Sequence, residues 1–563
     1  MAAEKRRLGN ILVNAGKITS YQLQEALKSQ KALGKKLGEI LLDSKVITED
    51  DIIEAIEQQT GIKRVDLNTI NFDRKAITLI PQNLCDKYTL IPFGFDNNKI
   101  KVALEDPLNI FAIDDVAIST GFEIESFISK KADIRKFIGI YYSSQQVNNA
   151  ALQLSKESIK SLKNFKAQNT EDINEVNSAP AVKMIDYMFK NSLELKASDI
   201  HIEPFENEIR IRYRIDGKLQ TVNKLGIESL GPIVTRIKIL AGLNIAEKRI
   251  PQDGRIITDV DGKDIDLRVS VLPVVNGEKI VIRILNTGGA VLSKSQLGMS
   301  EENLKRLDRI ISHPHGIILV TGPTGSGKST SLYSLMKELN SNNVNIVTVE
   351  DPVEFTMNGI NQVNVNEKAG LTFASGLRSI LRQDPDIVMI GEIRDEETAE
   401  IATRAAITGH LVLSTLHTND APSSIVRLVD MGIKSYLVST SVVGVMAQRL
   451  VRKICNNCKE EYEASSYEKK ILGKNEDEPL VLYRGKGCGY CNENGYTGRI
   501  GIYEIMEMTR EHREAINAGG NSDILRDISI ANGMKTLESE CRDLVLEGTT
   551  TIEELSTIAM VKK

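Results

Sequence analysis

The sequence that decides the fold is Ile317-Ile318-Leu319-Val320-Thr321-Gly322-Pro323-Thr324-Gly325-Ser326-Gly327-Lys328-Ser329. Its apolar beginning is typical of a buried strand, and the rest has the glycine and lysine spacing of a phosphate-binding loop. In such a loop the glycines let backbone N–H groups surround a phosphate at a helix N-terminus, Lys328 contacts the phosphates, and the Ser329 hydroxyl ligates Mg²⁺. We predict that phosphate is bound by Gly322, Pro323, Thr324, Gly325, Ser326, Gly327, Lys328, Ser329 and Thr330. The alternative is a glycine-rich turn without a ligand.

Three further apolar runs follow, Ile346–Val349, Ile387–Ile390 and Leu411–Ser414, separated by segments of helix length. Continuous apolar strands are buried on both faces, as in a parallel sheet covered by helices. The sequence therefore predicts an α/β domain with a parallel sheet in the second half of the chain.

Acidic residues follow two of these strands, where an open parallel sheet collects its functional groups. Glu350 and Glu354 flank a proline turn, and either is a candidate to orient the attacking water or to act as general base. Glu392 is a candidate ligand of Mg²⁺, directly or through water, because Gly391 stands where an aspartate is usual. The alternative for each is an ordinary solvated loop.

Two histidines, His410 and His417, flank the fourth strand. We predict that both contribute to the same catalytic edge. Hydrogen bonding at the strand ends is the alternative.

Six cysteines occur in the chain, and four of them form two CxxC pairs. Each pair presents two thiolates to one metal, so that two pairs complete a tetrahedral site, typical of zinc. The predicted ligands are Cys455, Cys458, Cys488 and Cys491. A redox pair or chance clustering is the alternative, and the lone Cys85 and Cys541 are expected to be buried thiols.

The composition is that of a globular protein with several domains, since 563 residues exceed what one core organises. A formal net charge of -5 gives no reason to expect nucleic acid as a partner. No apolar run has the length of a membrane span, and the first residues do not resemble a signal peptide, so a cytoplasmic protein is expected.

The first sixty residues contain an internal repeat, in which Arg7–Leu12 matches Lys36–Leu41. The repeat predicts two helical hairpins, with a threonine capping the second helix of each. A small α+β domain is expected over 61–142 and a polar linker over 143–176.

A sheet domain is expected over 177–290, followed by the α/β domain over 291–563. In the sheet domain, apolar residues alternate with Arg210, Arg212 and Arg214 before Asp216-Gly217, and a second hairpin contains Arg268 before Asn276-Gly277. These patterns predict strands with several arginines on one face.

Taken together, the motifs resemble the secretion ATPase family of type IV pilus assembly and type II secretion. The resemblance extends over nearly the whole chain and rests on the phosphate-binding loop and on Asp199–Glu203, Ala246–Arg255, Val349–Glu354, Leu381–Asp386 and Thr408–His410. The atypical Gly391 is also a trait of that family.

The resemblance implies a homohexamer with a RecA-like core that hydrolyses ATP with Mg²⁺ and acts on a membrane-embedded pilus platform protein. It makes Arg212, Arg214, Arg255 and Arg268 candidate arginine fingers, with solvated strand faces as the alternative. The zinc module is typical of assembly and secretion motors and absent from retraction motors.

The N-terminal repeat resembles a tandem motif that binds cyclic di-GMP. The implied contacts come from Arg7, Leu8, Leu23, Leu27, Gln30, Lys36, Leu37, Ile52, Ile56 and Gln59. Lys36 replaces an arginine and cannot make its bidentate contact, so the second half-site is expected to be weaker. A helical docking domain is the alternative.

We expect a motor for pilin polymerisation. The alternatives are a type II secretion motor, a RecA-like nucleic-acid translocase and a regulatory module that holds ATP without turning it over.

Overall fold

The computed structural model describes residues 8–33, 37–44, 46–70, 72–96, 98–139, 141–142, 179–260, 262–285 and 291–560. These residues form two compact units, one containing the residues up to Leu285 and one containing most of those from 291 on. Within the described ranges, no helix is both long enough and apolar enough to cross a membrane. The predicted linker over 143–176 lies outside them.

The N-terminal repeat forms two helical hairpins, as predicted. The helices are Leu8–Asn14, Ser20–Leu33, Leu37–Asp43 and Glu49–Thr60. Thr19 accepts the N–H of Gln22, and Thr48 forms a capping box with Asp51, which confirms the predicted caps.

The α+β domain that follows has a small sheet. Its strands are β1 (Leu90–Asp96), β2 (Lys99–Leu104) and β3 (Glu123–Ile128). β2 pairs antiparallel with β1 and parallel with β3. The helices are Arg74–Leu79, Gln82–Tyr88, Ile110–Thr120 and residues 131–139.

A six-stranded antiparallel sheet completes the first unit. Its strands are β4 (Asp199–Pro204), β5 (Glu208–Ile215), β6 (Lys218–Gly226), β7 (Gln252–Val260), β8 (Lys263–Val274) and β9 (Gly277–Leu285), in the order β6-β5-β4-β9-β8-β7. Isoleucines of one face pack with the helices Ala179–Glu194 and Leu230–Leu240 in the core, while the arginines lie on the other face. A short 3₁₀ helix spans Ile227–Ser229.

Both predicted hairpins are present, with one shifted turn. Asp216 and Gly217 both have positive φ, as a two-residue primed turn requires. In the second hairpin Val274 pairs with Gly277, so the turn residues are Val275 and Asn276 instead of Asn276 and Gly277.

The second unit contains the predicted parallel sheet. Its strands are β10 (Gly316–Thr321), β11 (Ile346–Glu350), β12 (Ile360–Asn364), β13 (Ile387–Ile390), β14 (Leu411–Leu416), β15 (Val442–Ile454) and β18 (Tyr496–Glu507), in the order β12-β11-β13-β14-β10-β15-β18. The six strands β10 to β15 run parallel, and β18 is antiparallel to β15. A separate hairpin pairs β16 (Lys459–Glu463) with β17 (Val481–Gly485).

Helices cover this sheet and bury it on both faces. They are Glu301–Ile311, Lys328–Leu339, Phe373–Ile380, Glu396–Ile407, Ala421–Asp430, Ser435–Ser441, Ser466–Ile471, Arg510–Asn517, Ser522–Ala531, Leu537–Leu546 and Ile552–Met560. Three 3₁₀ helices, Lys294–Leu297, Glu367–Ala369 and Gly489–Cys491, complete the secondary structure after residue 290. The carboxyl ends of β10, β11, β13 and β14 therefore share one edge of the sheet.

Candidate active site

The phosphate-binding loop joins β10 to the helix Lys328–Leu339, as predicted, and it packs against Gln448 of β15. A Cβ on Gly322 would lie 2.4 Å from the Gln448 carbonyl oxygen, and one on Gly327 would lie 2.8 Å from the Gln448 amide nitrogen. Gly322, Gly325 and Gly327 also have positive φ. The path of the loop therefore requires glycine at these positions. Gln448 packs against the loop at Gly322 and Gly327.

The fit of this loop to a phosphate group is supported by two side chains within it. Lys328 Nζ donates to the carbonyl oxygens of Gly322 and Pro323, at 2.8 and 3.1 Å. Burial lowers the pKa of Lys328, while the charge of Glu392 acts in the opposite direction. The buried Ser326 hydroxyl has no hydrogen-bond partner among the described residues. The Lys328 ammonium group and the Ser326 hydroxyl can both donate hydrogen bonds to a phosphate group bound in this glycine loop.

Ser329, the predicted Mg²⁺ ligand, contacts Glu354. Its hydroxyl donates to Glu354 Oε1 at 3.3 Å, and Glu354 is exposed. Glu350 instead lies 4% exposed at the end of β11. The structure therefore brings Glu354 to the phosphate loop and places Glu350 inside the domain.

Glu392 lies at the carboxyl end of the sheet with His417. Its two carboxylate oxygens contact His417 Nε2 at 3.2 Å and Arg394 Nη2 at 2.5 Å. Burial acts to raise the pKa of Glu392, but the hydrogen bond from Arg394 and the charges of Arg394 and His417 outweigh it and hold that pKa below its usual range. An ionised carboxylate therefore lies close enough to Lys328 to affect its pKa.

Gly391 is explained by the space between two strands. A Cβ there would lie 3.3 Å from Glu350 Cα and 3.4 Å from the Val349 carbonyl oxygen. The N–H of Gly391 donates to Val349, and its carbonyl accepts from the Thr415 hydroxyl. A side chain at this position would be in tight contact with the backbone of β11, and the next acidic residue along the chain is Glu392.

His410 lies at the other end of β14 from His417. Its carbonyl accepts the N–H of Gly316, the first residue of β10, and its Nδ1 lies 2.9 Å from the Ala405 carbonyl oxygen. His410 and His417 flank the strand Leu411–Leu416, and the steps between them, at about 3.3 Å per residue, separate the two histidines by roughly 23 Å. The structure thus brings His417, and not His410, to the phosphate loop.

Two of the candidate arginines make bidentate ion pairs with acids of their own sheet. Arg212 donates to both oxygens of Glu203, at 2.7 and 2.9 Å. Burial acts to raise the pKa of Glu203, but hydrogen bonds from Arg212 and Lys279 lower it to about 2. Arg255 donates to both oxygens of Asp266, at 2.7 and 2.6 Å.

The other two candidates, Arg214 and Arg268, lie with Arg255 and Arg283 in one row across the strands. Arg268 lies between Arg255 and Arg283 of the neighbouring strands, and Arg283 and Arg214 both flank Asp199. Cations directly opposite each other on a sheet repel. Such a row suits an anionic ligand, although Arg214 and Arg283 already pair with Asp199, and Arg255 pairs with Asp266.

The four paired cysteines come together. Their sulfur atoms all lie within 4.8 Å of one another, and Cys488 Sγ is 3.8 Å from Cys491 Sγ. Three of the four are buried. Four thiols converging in this way form a set that could hold one metal ion.

The described parts of the repeat leave the predicted ligand residues accessible. A Cβ on Gly9 would meet Leu23 at 2.5 Å, and one on Gly38 would meet Ile52 at 3.3 Å, so both hairpins use the same close contact. Leu27 is 41% exposed. The half-buried members are Leu8, Leu23, Gln30, Leu37, Ile52, Ile56 and Gln59. Arg7 and Lys36 lie outside the described residues.

Sequence reasoning missed Tyr333, Arg394, Gln448 and the pair Thr321 and Thr418. Gln448 has a detectable signal, since it interrupts the apolar run Val442–Ala447. Arg394 lies two residues after Glu392 in the sequence, so its pairing with Glu392 could also have been predicted. The contacts of Tyr333 and of the threonine pair depend on tertiary structure alone.

Two family models match the chain. The one described as "Type II/IV secretion system protein" matches residues 174–557, and the one described as "MshEN domain" matches residues 60–148.

Similar proteins include pilus and secretion ATPases. The Myxococcus xanthus (strain DK1622) protein named "Type IV pilus assembly ATPase PilB" is 40% identical over 98% of each chain. The Pseudomonas aeruginosa (strain PAO1) protein named "Type II secretion system protein E" is 47% identical over 73% of this chain and 83% of its own. The solved structure of the Legionella pneumophila ATPase DotB has a TM-score of 0.51 at 22% identity, covering 67% of this chain and 95% of that chain, which is a likeness of fold.

Proposed function

Because this chain belongs to the type II/IV secretion system protein family and is an ATP hydrolase, we propose that it is a hexameric motor that drives type IV pilus assembly. The observation that carries this proposal is the 40% identity to a pilus assembly ATPase over 98% of both chains. The motor would act at the inner face of the cytoplasmic membrane, on a platform protein that orders pilin subunits.

The residues at the carboxyl edge of the parallel sheet would each have a separate role in ATP hydrolysis. Lys328 and the loop N–H groups bind the phosphates of ATP, and Ser329 and Glu392 would hold Mg²⁺, which neutralises charge that builds on the phosphates. Glu354 would orient the attacking water, a role that its contact with Ser329 and its exposure support. His417 holds the Glu392 carboxylate.

The type II secretion motor is the second candidate, supported by 47% identity to a type II secretion protein over a shorter length. Lys328→Ala, introduced into the native host, separates the two. Loss of surface pili with secretion intact supports the pilus motor, whereas loss of secretion with pili intact supports the rival. Lys337→Ala, on the exposed face of the same helix, is the matched control.

The arginine row supports an assembly in which subunits share ATP sites. Arg214, Arg255 and Arg268 of this row, together with Arg212 two residues before Arg214 on β5, would bind phosphate oxygens and stabilise charge in the transition state. Arg212, Arg214 and Arg255 would first release their carboxylate partners. Electron microscopy of the ATP-bound protein should show a six-membered ring. A purified chain that remains monomeric with ATP would contradict this arrangement.

Two further ligands complete the proposal. The cysteine cluster would hold Zn²⁺, for which four thiolates are a closed structural site. The N-terminal repeat would bind cyclic di-GMP as a regulator, through the exposed faces of its two hairpins. The chain binds no nucleic acid on this proposal, so DNA should leave its ATPase rate unchanged at physiological salt.

A further inference from the structure

Tyr333 lies one helical turn after Ser329, on the helix that follows the phosphate loop. Its side chain is 2% exposed, and its ring makes an edge contact with Phe355, with ring centroids 5.8 Å apart. Residues four apart lie on the same face of a helix. Ser329 and Tyr333 therefore both face the segment that carries Glu354.

The Tyr333 hydroxyl joins three parts of this segment. It donates to Glu350 Oε2 at 2.5 Å, and its oxygen accepts the backbone N–H groups of Glu354 at 3.2 Å and Phe355 at 3.4 Å. Burial and the hydrogen bond to Glu350 raise the pKa of Tyr333 well above its usual range, so the hydroxyl keeps its proton. It is thus a fixed donor on one side and an acceptor on the other.

Glu350 is the buried anchor of this arrangement. Its second oxygen accepts from the Thr348 hydroxyl at 2.6 Å and from Gln362 Nε2 at 3.1 Å. A buried carboxylate is stable only where donors surround it, and here both oxygens have them. Glu350 therefore orients the Tyr333 hydroxyl and does not contact the water that attacks the phosphate.

We propose that Tyr333 is a positioning residue for Glu354 in ATP hydrolysis. Tyr333 fixes the backbone of Glu354 and Ser329 fixes its carboxylate, so one helix face sets both ends of the residue. A displacement of about 1 Å in a reacting group costs on the order of 100-fold in rate, which makes such support necessary. This inference rests on the role of Glu354 proposed above.

Tyr333→Phe tests the inference because it removes the hydroxyl and keeps the ring. We expect kcat to fall about tenfold or more, with KM for ATP changed less than about threefold, because the phosphate contacts of Lys328 remain. In a Glu354→Gln background, Tyr333→Phe should cause no further fall in kcat. Two residues acting through one group are non-additive.

Tyr503→Phe is the matched control, since it removes another buried hydroxyl of the same unit, which donates to the Leu297 carbonyl. It should leave kcat unchanged. If Tyr333→Phe fails to fold, Tyr333→Phe combined with Glu350→Gln avoids an unpaired buried charge and should show the same loss of kcat.

Four outcomes decide the matter. A normal kcat in Glu354→Gln overturns the role of Glu354 itself. If Glu354→Gln lowers kcat to a smaller but measurable value, a normal kcat in Tyr333→Phe overturns the positioning role, and so does an effect of Tyr333→Phe on KM alone. An equal fall in kcat on adding Tyr333→Phe to Glu354→Gln also overturns it.

Discussion

The hydroxyl of Thr321, the last residue before the phosphate loop, lies 2.7 Å from the hydroxyl of Thr418, which directly follows His417. Thr321 Oγ1 also accepts the N–H of Thr418 at 2.9 Å and lies 3.1 Å from the carbonyl oxygens of Leu416 and Thr418. The loop that carries His417 is thus tied to the strand that carries the phosphate loop.

Thr321→Val should loosen this tie at nearly constant volume. We expect an ATPase kcat lower by about tenfold, because His417 and Glu392 lose their fixed position, and a free energy of unfolding lower by about 1–3 kcal/mol, because buried polar groups lose a partner. Steady-state kinetics and denaturant unfolding measure both. Thr403→Val, which removes a buried hydroxyl in the helix Glu396–Ile407, should lower stability only. An equal fall in kcat for both variants would contradict the prediction.

Ser326→Ala tests whether the unpartnered hydroxyl of the loop serves phosphate. Ser326 is 3% exposed and its Oγ has no partner among the described residues, so the unliganded protein should be as stable or more stable without it. The Kd for ATP should rise by roughly fivefold, since a net hydrogen bond is worth about 1 kcal/mol. Ser334→Ala removes a hydroxyl that donates to the Thr330 carbonyl, one turn earlier on the helix Lys328–Leu339. It should lower stability and leave the Kd for ATP unchanged. Unchanged ATP affinity in Ser326→Ala would refute the assignment.

Parts of the fold could be predicted because burial on both sides leaves a continuous apolar run. That is true of β10, β11, β13 and β14. In β15, Gln448, which packs against the phosphate loop, and the arginines Arg449 and Arg452 follow the apolar residues Val442–Ala447. Periodicity therefore did not reveal the longest strand of the sheet.

The site was predictable only in part. Glu350 and Glu354 lie on one short loop, so only the buried contacts of Glu350 with Tyr333 and Thr348 distinguish them. His410 and His417 both flank β14, but a parallel sheet presents only its carboxyl end to the phosphate loop.

Stability should decrease in acid partly because of His512. Its side chain is 1% exposed, burial lowers its pKa, and its Nε2 lies 2.8 Å from the Ser529 hydroxyl. In the unfolded chain His512 takes up a proton below about pH 6.5, whereas in the folded chain its lowered pKa keeps it neutral to a lower pH. The contribution of His512 to stability is therefore complete above about pH 6.5 and is lost as the pH falls. Denaturant unfolding at pH 7.5 and 5.5 measures it. His512→Gln should show a smaller difference between the two pH values than the parent, and an equal difference would contradict this account.

Zinc content should depend on the four clustered cysteines alone. Cys491→Ser is expected to reduce bound zinc from about one ion per chain to a small fraction, since a structural site needs four ligands, and to lower the unfolding temperature. Elemental analysis of the purified protein measures the first effect. Cys541→Ala is the control, because burial raises the pKa of that lone thiol to about 12 and it should bind no metal. Full zinc content in Cys491→Ser would contradict the four-cysteine site.

The two half-sites of the N-terminal repeat should bind cyclic di-GMP unequally. Leu27 exposes 41% of its surface, so Leu27→Asn should raise the Kd about tenfold by removing apolar contact with a purine, at little cost in stability. Tyr21→Ser, at a more exposed position of the same helix, is the control and should bind as the parent does. Lys36→Arg should instead lower the Kd, since arginine restores the bidentate contact that lysine cannot make. Titration of labelled cyclic di-GMP against the full chain measures all three. Saturable binding that ignores both Leu27→Asn and Lys36→Arg would locate the ligand elsewhere, and an absence of saturable binding would leave the repeat as a docking domain.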